Sequence, residues 1–403
     1  MTNSPSTVDL LIVGGGMVGG ALACAMAEAG FEVTVIDVRE PARSWPEDEV
    51  DLRVSALTRA SQRILENLQA WPRMAEMRVS PYDKMEVWDA GGNGRIHFSA
   101  AEIGEMDLGH IVENRVTQLA LWERLESYSN VQLRFPERIS NLLLGESPEV
   151  VLQSGERLTA KLVVAADGRD SEIRHLAGID TRGWEYDQHA IVATITPQRF
   201  HDNTARQRFM SSGPLALLPI DDGRCSIVWS TSPTHGESLM SLDDAGFCQE
   251  LTQASEAVLG SIQAIGPRGL FPLRLEHAET YIQPGLALIG DAAHAMHPLA
   301  GQGVNLGLMD AMTLADVLTE AGAAGRSIGS MATLRRYERA RKGANIAMLG
   351  AMDGFKRLFS NEVPPLRLIR NLGLNLADRS GFVKHQIMRR AMGMVGDRPR
   401  LAR

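Results

Sequence analysis

An aspartate, two histidines and four glycines stand within the eighteen residues GDAAHAMHPLAGQGVNLG, positions 290–307. Three kinds of chemistry use such residues: a metal centre, a catalytic dyad, or a backbone surface laid against a flat group. His294 and His297 would need a third converging ligand to hold a metal. No complementary ligand cluster accompanies them in the sequence, so no metal site is expected. Pro298 and Gly301 make the backbone loop-like, and the glycines admit close backbone approach to a planar ring. His294 is read as structural, bonding loop carbonyls.

A second glycine group lies near the start of the chain. Gly14-x-Gly16-x-x-Gly19 follows the apolar run VDLLIV and opens a helical pattern through about Ala29, with Gly30 as its stop. A second strand pattern, EVTVID, ends in Asp37. This spacing suits a dinucleotide. Gly14 permits the tight turn, Gly16 leaves room for a pyrophosphate, and Gly19 lets helix and strand pack closely. The helix N-terminus offers N–H groups to phosphate, and Asp37 can accept from ribose hydroxyls. A third landmark, LVVAADGRDSEIRHLAG at 162–178, reads as a strand, an Asp167-Gly168 turn and a short helix capped by Asp170 or Ser171.

The elements that must position these residues are bounded by bulk properties. With 403 residues, 44% of them hydrophobic, the chain can form two domains or one composite unit with a substantial core. A net charge of −8 argues against general nucleic-acid binding. Three separated cysteines without a C-x-x-C pattern suggest neither a zinc ribbon nor a disulfide framework, and fit a reducing cytoplasm. The uncharged stretch from Leu10 to Ala27 could pass for a signal peptide or a span, but no basic region precedes it. The chain is expected to be cytoplasmic, either soluble or peripheral at the inner membrane.

The middle of the chain changes pattern. HAIVATITP (189–197), ARQRFMSS (205–212), PLALLPI (214–220) and RCSIVWST (224–231) are short strand candidates separated by turn residues. The expected layout is a discontinuous dinucleotide domain (1–80, 111–180 and 276–330), an antiparallel-sheet substrate domain (81–110 and 181–275) and a helical C-terminal region (331–403). AGGNGRI at 90–96 reads as a hairpin turn, which leaves one dinucleotide fingerprint only. From Lys356 to Arg403, eleven Lys/Arg stand against three acids, a balance of +8, while the rest of the chain carries −16. Interspersed apolar residues make this region resemble a basic amphipathic tail.

Taken in order, the three landmarks resemble the FAD-dependent aromatic hydroxylases of the para-hydroxybenzoate hydroxylase superfamily, the class A flavoprotein monooxygenases. DLRVSALTRAS (51–61), MEVWDA (85–90), HIVENRVTQLALWERL (110–125) and LRRYERARK (334–342) resemble the ubiquinone-biosynthesis hydroxylases, most of all the 2-polyprenylphenol hydroxylase branch. The resemblance implies a Rossmann-like α/β FAD domain with a sheet that roofs the substrate pocket. It implies FAD contacts from Gly14, Gly16, Gly19, Asp37, Arg53, Arg115 and Asp291, with Asp167 near the nicotinamide path. Pro298, Gly301, Gln302, Gly303, Val304 and Asn305 would lie beside the isoalloxazine, where helix N–H groups stabilise negative charge by about 0.3–2 kcal/mol. Asp37 departs mildly from the longer Glu of many relatives.

The implied reaction takes NADPH or NADH transiently and uses O2. A flavin C4a-hydroperoxide hydroxylates the ring of a polyprenylated phenol, and no residue is assigned as its base. The implied partners are biosynthetic complex subunits or an anionic membrane reached by the basic tail, with a homo-oligomer also open. Alternatives are another FAD enzyme of this fold, such as a hydroxylase of a different aromatic or a prenyl reductase, and a non-catalytic FAD-binding assembly subunit. No Trp-x-Trp-x-Ile-Pro occurs, which counts against a halogenase.

Overall fold

The computed structural model describes residues 7–295, 303–360 and 364–403, of which 355, 356, 360 and 364–369 are described by their backbone. The chain opens with β1 (Val8–Val13), α1 (Met17–Glu28) and β2 (Val33–Ile36), then β3 (Val54–Thr58), α2 (Arg59–Asn67) and α3 (Trp71–Met77). β4 (Ser80–Tyr82), β5 (Lys84–Asp89), β6 (Arg95–Ser99) and β7 (Gly109–Glu113) lead into α4 (Asn114–Glu126). Next come β8 (Val131–Arg134), β9 (Ile139–Leu143), β10 (Glu149–Leu152), β11 (Arg157–Ala165) and α5 (Glu172–Leu176). The middle holds β12 (Thr181–Pro197), β13 (Thr204–Met210), β14 (Gly213–Pro219), β15 (Cys225–Thr231), α6 (Pro233–Met240), α7 (Asp244–Ala254) and β16 (Ile262–Ala278). β17 (Ile282–Gln283), β18 (Leu286–Leu288) and β19 (His294–Ala295) precede the helices α8 (Gly303–Ala323), α9 (Met331–Ser360), α10 (Pro364–Arg379) and α11 (Gly381–Ala391).

Two sheets follow from two hydrophobic patterns. The continuous apolar runs of β1, β2 and β11 are buried on both faces and pair in parallel, in the order β17-β18-β11-β1-β2-β8. Leu10, Leu11 and Ile12 are fully buried, in one core with apolar residues of α1, α4 and α8. Each such side chain gains about 1.5–3 kcal/mol on leaving water. The stretch that could pass for a span is therefore a core strand, a glycine turn and a core helix. Among the described residues no helix is long and apolar enough to cross a membrane.

The second sheet runs β19-β16-β12-β15-β14-β13-β5-β6. All four strand candidates of the middle region fall in it, and residues 90–94 close the β5–β6 hairpin. It is not purely antiparallel, because β5 and β13 pair in parallel. It also reaches Ala278 and takes in His294–Ala295, so the sheet ends next to the glycine-rich segment. One face packs on α6 and α7 through Ile227, Trp229, Phe247 and Leu251. The opposite, inner face meets β3, β4 and β7 through Ala205, Ala216 and Leu218.

The C-terminal helices close the open edge of this sheet. Along α10, Asn371, Asn375 and Asp378 accept the backbone N–H groups of Gly94 (2.5 Å), Arg95 (3.2 Å) and His97 (2.9 Å). Their spacing puts them on one helical face, and that face occupies hydrogen-bonding groups that an edge strand otherwise leaves open. Arg370 and Asp89, both almost fully buried, form a two-bonded pair at 2.7 and 2.8 Å that pins α10 to β5.

Candidate functional site

The phosphate loop is fixed by backbone sterics. Gly14 has φ +101°, and a Cβ there would stand 2.3 Å from the Ala166 carbonyl oxygen. A Cβ at Gly19 would stand 1.9 Å from the Gly14 carbonyl oxygen, so helix and strand touch through this glycine. Gly16 differs, because a Cβ there meets nothing within 4 Å. Its side of the loop is open, as a cradle for an outside group requires. No side chain caps α1, which leaves its first N–H groups facing that opening. Asp37 accepts from the Gly15 N–H at 2.6 Å and the Arg39 N–H at 3.0 Å, so it braces the loop as well as standing at the end of β2.

The other cofactor candidates have varied placements. Arg53 lies over the Phe271 ring, 5.4 Å from its centroid, and makes no salt bridge among the described residues. Arg115 is held by Glu113 and Glu49 and covers Trp45 at 4.4 Å. Asp167 faces its own helix, accepting from the Ser171 hydroxyl at 2.6 Å and the Ile173 N–H at 3.2 Å. Ser171 is the N-cap of α5, one of the two alternatives that its sequence allowed. Burial raises the Asp167 pKa, and these hydrogen bonds oppose the rise.

Two arginines in the same motif escaped the sequence reading. Arg169 donates to the Pro272 carbonyl at 3.4 Å, and its buried Nε has no hydrogen-bond partner among the described residues. It thus joins Arg53 beside Phe271–Pro272 of β16. Arg174 is buried and donates to the Ala292 carbonyl at 3.0 Å and the Arg169 carbonyl at 2.8 Å, which ties the Asp167-Gly168 turn to the segment holding Asp291. The motif spacing that pointed to Asp167 contained both, seven residues apart or less.

Asp291 lies in a short 3-10 turn, Gly290–Ala292, with its side chain open to the cleft and protein enclosing most other directions. That enclosure raises its pKa, while His294, Arg169 and Arg53 pull it back down. Among the described residues His294 bonds no loop carbonyl, which differs from the expectation. Its Nε2 meets Asp310 at 2.5 Å, because α8 brings a fully buried carboxylate beside it. Burial alone pushes Asp310 up, yet His294 and Arg341 outweigh it and hold the carboxyl well below the usual range.

Gly303 and Val304 begin α8, and Val304 packs on the core. The Asn305 side chain turns inward: it accepts from Thr58 N–H (3.0 Å) and Ser61 hydroxyl (2.7 Å) and donates to the Ala56 carbonyl (2.8 Å). Pro298, Gly301 and Gln302, with His297, lie outside the described residues. The open Gly16 cradle, the uncapped α1 and the cleft-facing Asp291 fit a dinucleotide bearing a polyhydroxyl chain, as FAD does.

The second sheet and the C-terminal helices line an apolar chamber of about 540 Å³. Met85, Phe98 and Phe209 wall it from the sheet; Met352, Leu374 and Met388 wall it from α9, α10 and α11. The C-terminal helices thus enclose a cavity of ligand size. Tyr82, Met85 and Gln207 also line a small crevice that includes Ala56, whose carbonyl is held by Asn305. These three residues are thus shared by the walls of the chamber and of the crevice.

Comparisons with known proteins agree with this geometry. The sequence pattern of the family described as FAD binding domain matches residues 7–349. The chain is 42% identical over 395 residues to the 3-demethoxyubiquinol 3-hydroxylase of Escherichia coli, covering 98% of this chain and 100% of that protein. It is 38% identical over 405 residues to the ubiquinone hydroxylase UbiL of Rhodospirillum rubrum, covering 100% and 94%. In fold it is similar to the p-nitrophenol 4-monooxygenase PnpA of Pseudomonas putida, with a TM-score of 0.80 at 17% identity over 97% of this chain and 99% of that one. A nucleotide cradle built from the first strand, and a likeness that runs the whole length of named hydroxylases, lead to one conclusion: this chain belongs to the FAD binding domain family and is an FAD-dependent monooxygenase.

Proposed function

We propose that the chain hydroxylates the aromatic ring of a polyprenylated phenol on the route to ubiquinone, with NAD(P)H as reductant and O2 as oxidant. The apolar chamber is the observation that carries this reading. It is large, lined by Met, Leu, Ile and Phe, and continuous in its walls with the crevice near α8. An isoprenoid tail buried there gains about 0.8 kcal/mol per methylene, which would place the ring toward the flavin.

FAD held here would supply the redox chemistry, with the nicotinamide as two-electron donor, one oxygen atom of O2 going to the ring and the other to water. The chain binds and orients. Gly14, Gly16, Gly19 and the N–H groups of α1 hold the pyrophosphate, Asp37 the ribose, and Asp291 the ribityl hydroxyls. Arg53 and Arg169 supply positive charge beside Asp291, and the α8 N-terminus supplies N–H groups. Tyr82 and Gln207 are the polar groups at the chamber's inner end, and burial pushes the Tyr82 hydroxyl pKa far up, which keeps it a neutral donor.

The outer face of α10 and α11 exposes Leu372, Leu376, Phe382, Val383 and Ile387 among Arg379, Arg389 and Arg390. We infer that it rests on an anionic bilayer, from which a prenylated substrate enters the chamber. The functional test is turnover with NADPH or NADH, O2 and prenylated phenols, the ubiquinol precursor named for the E. coli relative first among them. Product mass should rise by one oxygen. Bound FAD with no substrate-stimulated NAD(P)H oxidation would instead favour a non-catalytic assembly role.

A further inference from the structure

The geometry points to Asp310 as the positioning residue for Asp291, and through it for the flavin, with His294, Arg341 and Asn345 as the groups that fix Asp310. The inference rests on the reading of Asp291 as a cofactor contact. Asp310 sits in the second turn of α8 and has no solvent exposure. Its carboxylate accepts four N–H donors: Gly290 N at 3.2 Å and His294 Nε2 at 2.5 Å on Oδ2, and Arg341 Nε at 2.7 Å and Asn345 Nδ2 at 3.0 Å on Oδ1.

The first two donors bracket Asp291 in sequence. One oxygen of Asp310 therefore holds both ends of the turn that aims Asp291 into the cleft. The other oxygen anchors this arrangement to α9, where Arg341 also donates to Asn345 Oδ1 at 2.8 Å. Nearly every group in the cluster is buried. A carboxylate with all its lone-pair directions filled by donors from separate elements is a rigid reference point. Asp310 faces the backbone side of the turn, so it does not touch the cofactor cleft itself. Its effect on FAD must pass through the placement of Asp291.

That route makes a non-additive prediction. FAD affinity is measured by flavin fluorescence and absorbance for Asp291→Ala, Asp310→Asn and the double variant. Asp291→Ala and Asp310→Asn should each weaken FAD at least tenfold, and the double variant should bind no more weakly than Asp291→Ala within about threefold. The proposal is overturned if Asp310→Asn binds FAD normally while Asp291→Ala does not, or if the two losses multiply. If Asp291→Ala itself leaves FAD affinity unchanged, the reading of Asp291 fails instead.

Should Asp310→Asn not fold, His294 supplies the same test. His294→Gln keeps a donor toward Asp310 and should retain FAD within threefold, whereas His294→Leu should lose it at least tenfold. That loss should vanish in the Asp291→Ala background. Equal FAD affinity in the Gln and Leu variants overturns the proposal.

Discussion

The Asn305 side chain accepts the backbone N–H of Thr58 at 3.0 Å, which fastens the first turn of α8 to the junction of β3 and α2. The same oxygen accepts from the Ser61 hydroxyl, and the amide nitrogen donates to the Ala56 carbonyl. Asn305→Leu takes this partner from the buried Thr58 N–H and Ala56 carbonyl, at a cost of about 1–3 kcal/mol for such a group, while the Ser61 hydroxyl keeps its bond to the Thr58 hydroxyl. Urea unfolding should move to a lower midpoint, and FAD should dissociate faster. An unchanged midpoint would show that α8 is held by packing alone.

Gly14 and Gly16 should separate folding from cofactor binding. Gly16→Ala places a methyl in open space, so thermal stability without FAD should stay close to that of the parent while FAD affinity drops at least tenfold. Gly14→Ala puts a methyl against the Ala166 carbonyl at a positive φ and should destabilise the chain itself. Calorimetry with and without FAD distinguishes the two. A Gly16→Ala protein that retains its flavin would remove the pyrophosphate from that cradle.

Ala377 lines the chamber from α10. Ala377→Trp should fill it, cutting turnover of long-chain prenylated phenols at least tenfold while sparing a phenol with a short side chain. Steady-state kinetics on a chain-length series is the measurement. Equal losses across the series would mean that the chamber does not hold the tail.

Burial, with Arg59 nearby, lowers the His110 pKa to about 4 from its ordinary 6.5; its buried Nδ1 has no hydrogen-bond partner among the described residues, and the Asp107 carboxylate stands 3.8 Å away. The folded state therefore binds fewer protons than the unfolded state between these pH values. The stability from keeping His110 neutral is fully present above pH 6.5 and is lost as pH falls toward 4, up to about 3 kcal/mol. His110→Phe keeps an aromatic ring edge-on to Trp71. In this variant the drop in urea stability between pH 7 and pH 4.5 should shrink by on the order of 1–3 kcal/mol. An identical drop would assign the acid sensitivity to other groups.

Reversal of Arg379, Arg389 and Arg390 to Glu should weaken binding to anionic vesicles at least tenfold at low salt, because each cation near such a surface contributes about 1 kcal/mol. FAD binding and turnover of a soluble phenol should survive. Vesicle co-sedimentation of the parent and the variant gives the answer, and equal binding sinks the docking surface.

The phosphate loop was legible because its parts are local. A strand, three glycines, a helix and a second strand follow one another in sequence; Gly14 and Gly19 each answer a nearby backbone atom, and Gly16 faces open space. The strands of the middle region were legible from their turns, whereas α6 and α7 were not, since their apolar faces are short. Asp310 was missed because its partners are tertiary. The available signal was one acid among the buried positions Leu308, Ala311 and Met312 of an apolar helix. The tail's charge was legible but its use was not. Arg370 and Lys384 are spent inside the protein on Asp89 and on Glu102 with Asp378, pairings that no local pattern announces.

The cap on β6 joins residues 277 positions apart, from Gly94 to Asn371. During synthesis the edge strand is therefore made long before the helix that covers it, and contacts of such separation form slowly. Until α10 arrives, a nascent chain carries an open β-edge beside an unroofed apolar wall, the combination that invites two copies to pair edge to edge. A protein cut before α10 should accumulate as aggregate even though its nucleotide fold is whole. The yield of this enzyme in a cell then depends on how quickly its C-terminal helices reach a strand made much earlier.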